Sequence, residues 1–376
     1  MADVGLSDPV RRPPGGGSIL SRLDRLPAQS GVQRWAARLP LLRRIVRRDG
    51  AALFDLVAGF CHSQVLLALV RLQVFDTLLA RRRPLAALAH ETGVPIERMA
   101  ILLRAGAALG LLAERRGIWR LTRRGAALAG VPGLQDMIDH HDILYRDLAD
   151  PVAFFRGETT PELARFWPYV FGAGAANDPD TAARYSALMA DSQRLVAEDT
   201  LAVLRLSDVR HAMDVGGGSG AFLCALGAAV PAARLTLFDL PAVAPLARQR
   251  LAEAGLSARA QVVPGSFRDD RLPTGADLIT LVRVLYDHDD ATVLALLRAC
   301  HAALPPGGRL VVSEPMAGSR AGDAYFALYC LAMQTGTARD SGRIAALLGQ
   351  AGFAEIRAHA APRPYVTSVL EAVRQT

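Results

Sequence analysis

The chain has 376 residues, 51% of them hydrophobic, enough apolar side chain for one large domain or two with full cores. Its formal charge is +7 and all 43 basic residues are arginine, which excludes Schiff-base and lysine-base chemistry. Four cysteines (Cys61, Cys224, Cys300, Cys330) stand far apart with no C-x-x-C pair, which points to a reducing, cytoplasmic setting and to no metal site.

Residues 1–30 are rich in Pro, Gly, Ser and Arg and are expected to be disordered. Residues 35–48 form a basic amphipathic segment interrupted by Pro40. Such a segment either lies solvated against the body of the protein or rests on an anionic bilayer as a peripheral contact. Residues 51–70 are apolar enough to suggest a membrane span, but Asp55, His62 and Gln64 interrupt them. A buried helix at a dimer interface is the better expectation. Residues 84–129 read as a winged helix, with helices from Pro84 and from Ile96 and a short wing strand from Gly117. That pattern raises DNA binding, yet the second helix is apolar nearly all round, so it is expected in a core and not in a groove. Asp139-His-His-Asp142 invites a metal reading, but adjacent helical histidines point about 100° apart, and structural or pocket-lining roles are favoured.

Residues 151–185 carry Pro, Gly and aromatics, as a connector over a pocket would, and a helix over 181–206 leads into a second domain. There a short apolar run ends at Asp214 and a glycine-dense turn, Gly216-Gly-Gly-Ser-Gly220, opens a helix. Glycine lets backbone close on a ligand, and the helix N-terminus offers free N–H groups. The spacing also satisfies a nicotinamide-dinucleotide fingerprint, since a strand then ends at Asp239. The acid before the glycines and the late position of the module favour S-adenosylmethionine. Strands and helices then alternate: helix 242–254, strands from Ala260 and Asp277, helix 290–303, a strand from Arg309, helices 323–334 and 341–350, and strands near 354–360 and 364–370. This alternation predicts a mostly parallel α/β sheet with ligands at the strand C-termini. The domains are therefore expected at 1–48, 49–180 and 181–376.

The order of motifs resembles the plant-type small-molecule O-methyltransferases. The likeness covers roughly residues 50–372 and is most specific at Asp214-Val-Gly-Gly-Gly-Ser-Gly220, Phe238-Asp-Leu-Pro241, Gly265-Ser-Phe267, Ser313-Glu-Pro315 and Gly352-Phe353. Within that family, Ala52-Leu-Phe-Asp-Leu-Val-Ala-Gly-Phe60, Arg283-Val-Leu-Tyr-Asp-His-Asp-Asp290 and Arg363-Pro-Tyr-Val-Thr-Ser-Val369 are most similar to bacterial carotenoid hydroxyl O-methyltransferases of the hydroxyneurosporene and demethylspheroidene type. The resemblance implies a homodimer with a helical winged-helix dimerisation domain before a Rossmann-like class I methyltransferase domain. It implies S-adenosylmethionine as cofactor, an apolar hydroxycarotenoid as substrate and no nucleic-acid partner.

Carried over by position, the resemblance assigns the cofactor to Asp214, Gly216, Gly218, Asp239, Leu240, Ser266, Phe267 and Arg283. It assigns the substrate to Tyr185, Met189, Ser192, Leu328, Tyr329 and Met333. The catalytic positions depart from the family. Plant relatives carry a histidine base in L-H-D-W, whereas this chain reads Leu285-Tyr-Asp-His288. Tyr286 is then expected to touch the substrate hydroxyl, with His288 or Glu314 taking the proton onward. Rival readings are methylation of a phenolic polyketide, methylation of a tetrapyrrole carbon, and a non-catalytic S-adenosylmethionine-binding or winged-helix regulator.

Overall fold

The structure, a computed structural model, describes residues 29, 31, 32, 35, 38–166 and 193–375. Almost all of the Pro- and Gly-rich N-terminal stretch lies outside them, as do Tyr185, Met189, Ser192 and the boundary expected near residue 180. The chain divides into two compact units, Met1–Ala68 and Leu69–Thr376.

The interruption expected at Pro40 is present: Trp35 is helical, Arg38 and Leu39 form a turn, and a new helix begins at Pro40. A single helix runs Pro40–Arg71 and joins the basic segment to the apolar one. Proline fits the first helical position, where its missing N–H is not needed. Burial along this helix sets in only at Leu67; Leu53, Phe54, Leu56, Val57 and Phe60 are exposed in the single chain.

The winged-helix expectation holds in outline. Helices Leu85–Thr92 and Ile96–Ala108 are joined through Gly93 in the left-handed region. Strands β1 (Arg83–Pro84), β2 (Leu112–Arg115) and β3 (Ile118–Leu121) form an antiparallel sheet in the order β1-β3-β2. Met99 and Leu103 of the second helix are fully buried, which is why that helix lacks a polar reading face.

The larger sheet has seven strands: β4 (His211–Val215), β5 (Arg234–Asp239), β6 (Ala260–Pro264), β7 (Leu278–Val282), β8 (Arg309–Glu314), β9 (Phe353–His359) and β10 (Ser368–Arg374). Their order is β6-β5-β4-β7-β8-β10-β9. The first five are parallel, and β10 inserts antiparallel between β8 and β9. Strand alternation sends Met213, Ile279 and Leu281 to one apolar cluster and Ala212, Leu278 and Val282 to another, so both faces are covered. β5 and β7 flank β4 on opposite sides, which opens a crevice at the C-terminal end of β4.

Two local expectations shift. The last strand starts at Ser368 and not near 364, because Pro362 and Pro364 lack the N–H a ladder needs, and Val366 closes a turn on the Arg363 carbonyl instead. The helix expected over 323–334 opens with a widened turn, Gly322–Phe326, closed by the Ala327 N–H on the Gly322 carbonyl, before the α-helix Ala327–Met333.

A tight turn, Leu285–Asp287, follows β7 and is clamped from both ends. The Glu314 carboxylate at the end of β8 accepts the N–H groups of Val284 and Leu285, both at 2.8 Å. The buried Arg339 guanidinium donates to the carbonyls of Leu285 (2.9 Å) and His288 (2.7 Å) and to Asp290 Oδ1 (2.6 Å). Removing Arg339 strands the buried carbonyls of Leu285 and His288, while Asp290 keeps Arg343. Arg339→Met is expected to lower unfolding free energy by about 3 kcal/mol in urea titrations. Arg343→Met, which removes a half-exposed partner of the same Asp290, is expected to cost less than about 1 kcal/mol. Equal effects would mean the clamp is not what holds the turn.

Candidate active site

The glycine turn after β4 packs on one side and is open on the other. Gly216 has φ +70°, and a Cβ there would meet Val284 Cγ2 at 2.8 Å. Gly218 has φ +57°, with no atom within 4 Å of where its Cβ would lie. Glycine is required at the first for closeness and at both for conformation, and the second leaves room for a ligand against bare backbone. Gly218 N–H donates to Asp239 Oδ2 and Leu240 N–H to Oδ1, each at 2.6 Å. Each oxygen keeps a lone pair for a further donor such as a ribose hydroxyl. Burial raises the Asp239 carboxyl from its ordinary value, against the lowering by these two backbone bonds.

Asp214 is placed differently from a ligand-touching acid. It is 1% exposed, sits under Gly217, and accepts Thr280 Oγ1 at 2.6 Å on Oδ1. Its Oδ2 is buried with no hydrogen-bond partner among the described residues. Burial pushes this carboxyl up to about 7, with Asp239 adding to the rise. A cation above the turn would draw both acids toward their ionised form. The open backbone, the two-oxygen acceptor and this field fit a nucleoside that carries a positive charge, as S-adenosylmethionine does.

Ser266 and Phe267 follow β6. Ser266 is occupied locally, its N–H on Asp270 Oδ2 (2.9 Å) and its Oγ accepting from Arg268 N–H (3.2 Å). Phe267 is half-buried and meets the His288 ring edge-on at 5.3 Å. His288 therefore does not stand beside Tyr286. In the tight turn each residue rotates by about 120°, and His288 leaves it extended, so the two side chains diverge. His288 lines a cavity with Arg268 and Thr292, and its Nδ1 lies 3.0 Å from Arg268 Nη2. Burial, reinforced by Arg268, lowers its pKa to about 4, so the ring is neutral.

Tyr286 lines a separate cavity of about 350 Å³. Its walls are largely apolar: Leu134, Met137, Ile138, Phe326 and Met333 among others, with the exposed Tyr365 at the mouth. Arg283, Tyr286, His140, His141, Tyr325 and Tyr329 bring the polar atoms. Arg283 thus stands on the substrate side of the tight turn. Its φ of +58° is unusual for a side chain of this size, and its side chain hydrogen-bonds Tyr286. Burial nevertheless raises the Tyr286 phenol above its ordinary value, so it is a hydrogen-bond donor and not a phenolate. Glu314, pushed up to about 7 by burial, reaches the turn through backbone N–H groups. Its orienting action is on the peptide that carries Tyr286.

Of the substrate positions expected on the later helix, Tyr329 and Met333 line this cavity and Leu328 does not, since i and i+4 share a face that i−1 leaves. Tyr325 carried no signal in the sequence, and His141 only the weak one of a pocket-lining histidine. The structure joins them, His141 Nε2 to Tyr325 Oη at 2.7 Å.

Residues 145–354 match the family model of the O-methyltransferase domain, and residues 54–130 match the O-methyltransferase dimerisation domain. The exposed apolar residues from Phe54 to Phe60 begin the latter match, and the chain is a homodimer of this type. The chain is 56% identical over 371 residues to demethylspheroidene O-methyltransferase of Cereibacter sphaeroides, covering 97% of this chain and 98% of that protein. Identity to the Rhodobacter capsulatus protein of the same name is 53% over 341 residues, covering 90% and 85%. Among solved structures, human N-acetylserotonin methyltransferase in complex with S-adenosylmethionine superposes with a TM-score of 0.72 at 25% identity, covering 87% of this chain and 98% of that one. Fold, site and sequence agree, and the chain belongs to the O-methyltransferase family.

Proposed function

We propose that the protein transfers a methyl group from S-adenosylmethionine to the tertiary hydroxyl of an acyclic 1-hydroxycarotenoid, in a spheroidene-type pathway. The observation that carries the substrate class is the Tyr286 cavity: apolar walls, a few polar atoms, and a volume of about 350 Å³. That space accepts the hydrated end of a long polyene and leaves the rest outside. The near full-length identity to demethylspheroidene O-methyltransferase supports the same reading.

When bound, S-adenosylmethionine supplies an electrophilic methyl group on a sulfonium. The chain's own contribution is placement, because displacement at a methyl carbon depends on alignment of the attacking oxygen. Asp239, Leu240 and the backbone at Gly216 and Gly218 would hold the nucleoside end, and Phe267, braced by His288, would offer its ring to the base. Tyr286, with Arg283 on its phenol, donates to the substrate hydroxyl oxygen and fixes where its lone pair points. Tyr329 and Met333 pack against the carotenoid end; Tyr185, Met189 and Ser192, which the resemblance also assigns to the substrate, lie outside the described residues.

The basic start of the helix Pro40–Arg71 suits a substrate that resides in a bilayer. Arg43, Arg44, Arg47 and Arg48 precede the apolar residues, an order that places cations at lipid headgroups. The protein then works as a peripheral protein on the cytoplasmic face. The domains follow as an N-terminal basic segment, a dimerisation domain to about residue 180, and the methyltransferase domain.

The deciding experiment is turnover with methyl-labelled S-adenosylmethionine and a vesicle-dispersed 1-hydroxycarotenoid, analysed by mass spectrometry. One added methyl on oxygen is expected; cofactor binding with no methylated carotenoid would reject the substrate. Tyr286→Phe is expected to lower kcat at least 10-fold with cofactor affinity unchanged, and near-full turnover would remove Tyr286 from the reaction. In vesicle flotation, binding is expected on anionic but not neutral lipid, and to be lost when Arg43, Arg44, Arg47 and Arg48 are replaced by Glu. Equal binding to both lipids would reject the electrostatic contact.

A further inference from the structure

Methylating an alcohol releases a proton: the C–O bond forms, the C–S bond breaks with its electron pair left on sulfur, and the hydroxyl proton needs an acceptor. The expected acceptors are committed elsewhere. His288 faces another cavity beside Arg268, and Glu314 is not among the residues lining the Tyr286 cavity: its Oε1 holds the N–H groups of Val284 and Leu285, and its Oε2 is buried without a partner among the described residues. Tyr286 lies against the Arg283 cation, which disfavours a second proton on its oxygen.

We infer that His141 is the proton acceptor of this site, reached through the phenol of Tyr325. The inference rests on the methyl-transfer reading above. Tyr325 Oη and His141 Nε2 are 2.7 Å apart, both residues line the cavity of Tyr286, and Tyr325 packs edge-on against Phe326 beside it. With the ring proton on Nδ1, Nε2 accepts from Tyr325. As the new C–O bond forms, the substrate proton passes to Tyr325 Oη and the phenol's own proton passes to Nε2. The phenol ends as it began, and the histidine ends as an imidazolium.

The widened turn Gly322–Phe326 creates this pairing. Gly322 lies so close to the Met316 carbonyl that a Cβ would stand 2.0 Å from its oxygen, and the extra residue in the turn sets where Tyr325 meets His141. The groups around the His141 ring are His140 and Tyr145 on its own helix, Tyr325 and Tyr329 opposite, and Arg283 and Tyr286 across the cavity. Asp142, the nearest acid in sequence, is engaged by Arg71 and Arg146. Burial and His140 lower the His141 pKa to about 4, so the resting ring is neutral with its lone pair available. Because the methyl donor loses its positive charge in the reaction, a proton arriving on His141 leaves the site's net charge unchanged. That balance lets a ring of low proton affinity accept it.

The test uses full-length His141→Gln, Tyr325→Phe and the double variant, with cofactor affinity measured by calorimetry. Each single variant is expected to lose kcat by about 100-fold with KM within about 3-fold, and the double to be no slower than the slower single. Cofactor affinity is expected to stay within about 3-fold in all three. In labelled-histidine NMR of the cofactor-free protein, the His141 ring is expected to be neutral at pH 7 and to titrate near pH 4. Single variants within about 3-fold of the parent kcat, independent losses that multiply in the double, or a ring already charged at pH 7 would each overturn the inference. If one variant fails to fold, the other and the NMR titration still decide. A parent protein that binds S-adenosylmethionine but methylates no carotenoid alcohol would defeat the substrate reading instead, a distinguishable failure.

Discussion

Everything at the reaction site hangs on one turn of backbone held by a buried carboxyl group and a buried guanidinium. Glu314 takes the N–H groups where the turn Leu285–Asp287 begins, and Arg339 takes the carbonyls where it ends. Both side chains are buried, at 1% and 5% exposure, so neither has water as an alternative partner. A third constraint comes from Gly336, whose Cβ would stand 1.9 Å from the Tyr286 carbonyl oxygen. Between these supports the chain turns sharply enough to send Tyr286 to one cavity and His288 to another. Glu314, expected to take a proton onward, therefore acts on main chain.

The second organising constraint is electrostatic. Asp214 and Asp239 lie beneath and beside the open glycine turn; burial raises both carboxyls, and Asp239 adds to the rise of Asp214. Arg283 lies on the substrate side of the tight turn. Negative potential for a cationic methyl donor and a cation for the acceptor's hydrogen-bond partner are thus separated by the thickness of one loop. Val284, which closes against Gly216, is the wall between them.

Much of this was legible in the sequence. The glycine spacing, Asp239 at a strand end, and the alternation from Ala260 to Gly352 determine a doubly covered sheet, because periodicity and turn chemistry are local properties. The order β8-β10-β9 and the exact start of the last strand are less so, since two prolines displace the ladder by several residues. The site was half legible. Tyr286, Tyr329 and Met333 line the cavity expected of them, but His288 and Leu328 face elsewhere, Arg283 stands on the substrate side and Glu314 acts on main chain, because side-chain direction depends on a tight turn and on helix phase. Tyr325 was invisible because a widened helical turn has no sequence signature stronger than a glycine. His141 gained its meaning only from that distant partner, 184 residues along the chain.

The modest size of the Tyr286 cavity bears on how a symmetrical pigment would be processed. A chamber of about 350 Å³ among the described residues takes one terminus of the proposed substrate at a time. On the proposed substrate, a molecule hydrated at both termini cannot have its second hydroxyl methylated without leaving and re-entering in the opposite sense. Modification is then distributive: the mono-ether is a free intermediate that competes with unmodified pigment for each empty subunit, and the ratio of mono- to di-ether is set by supply and not by the chamber.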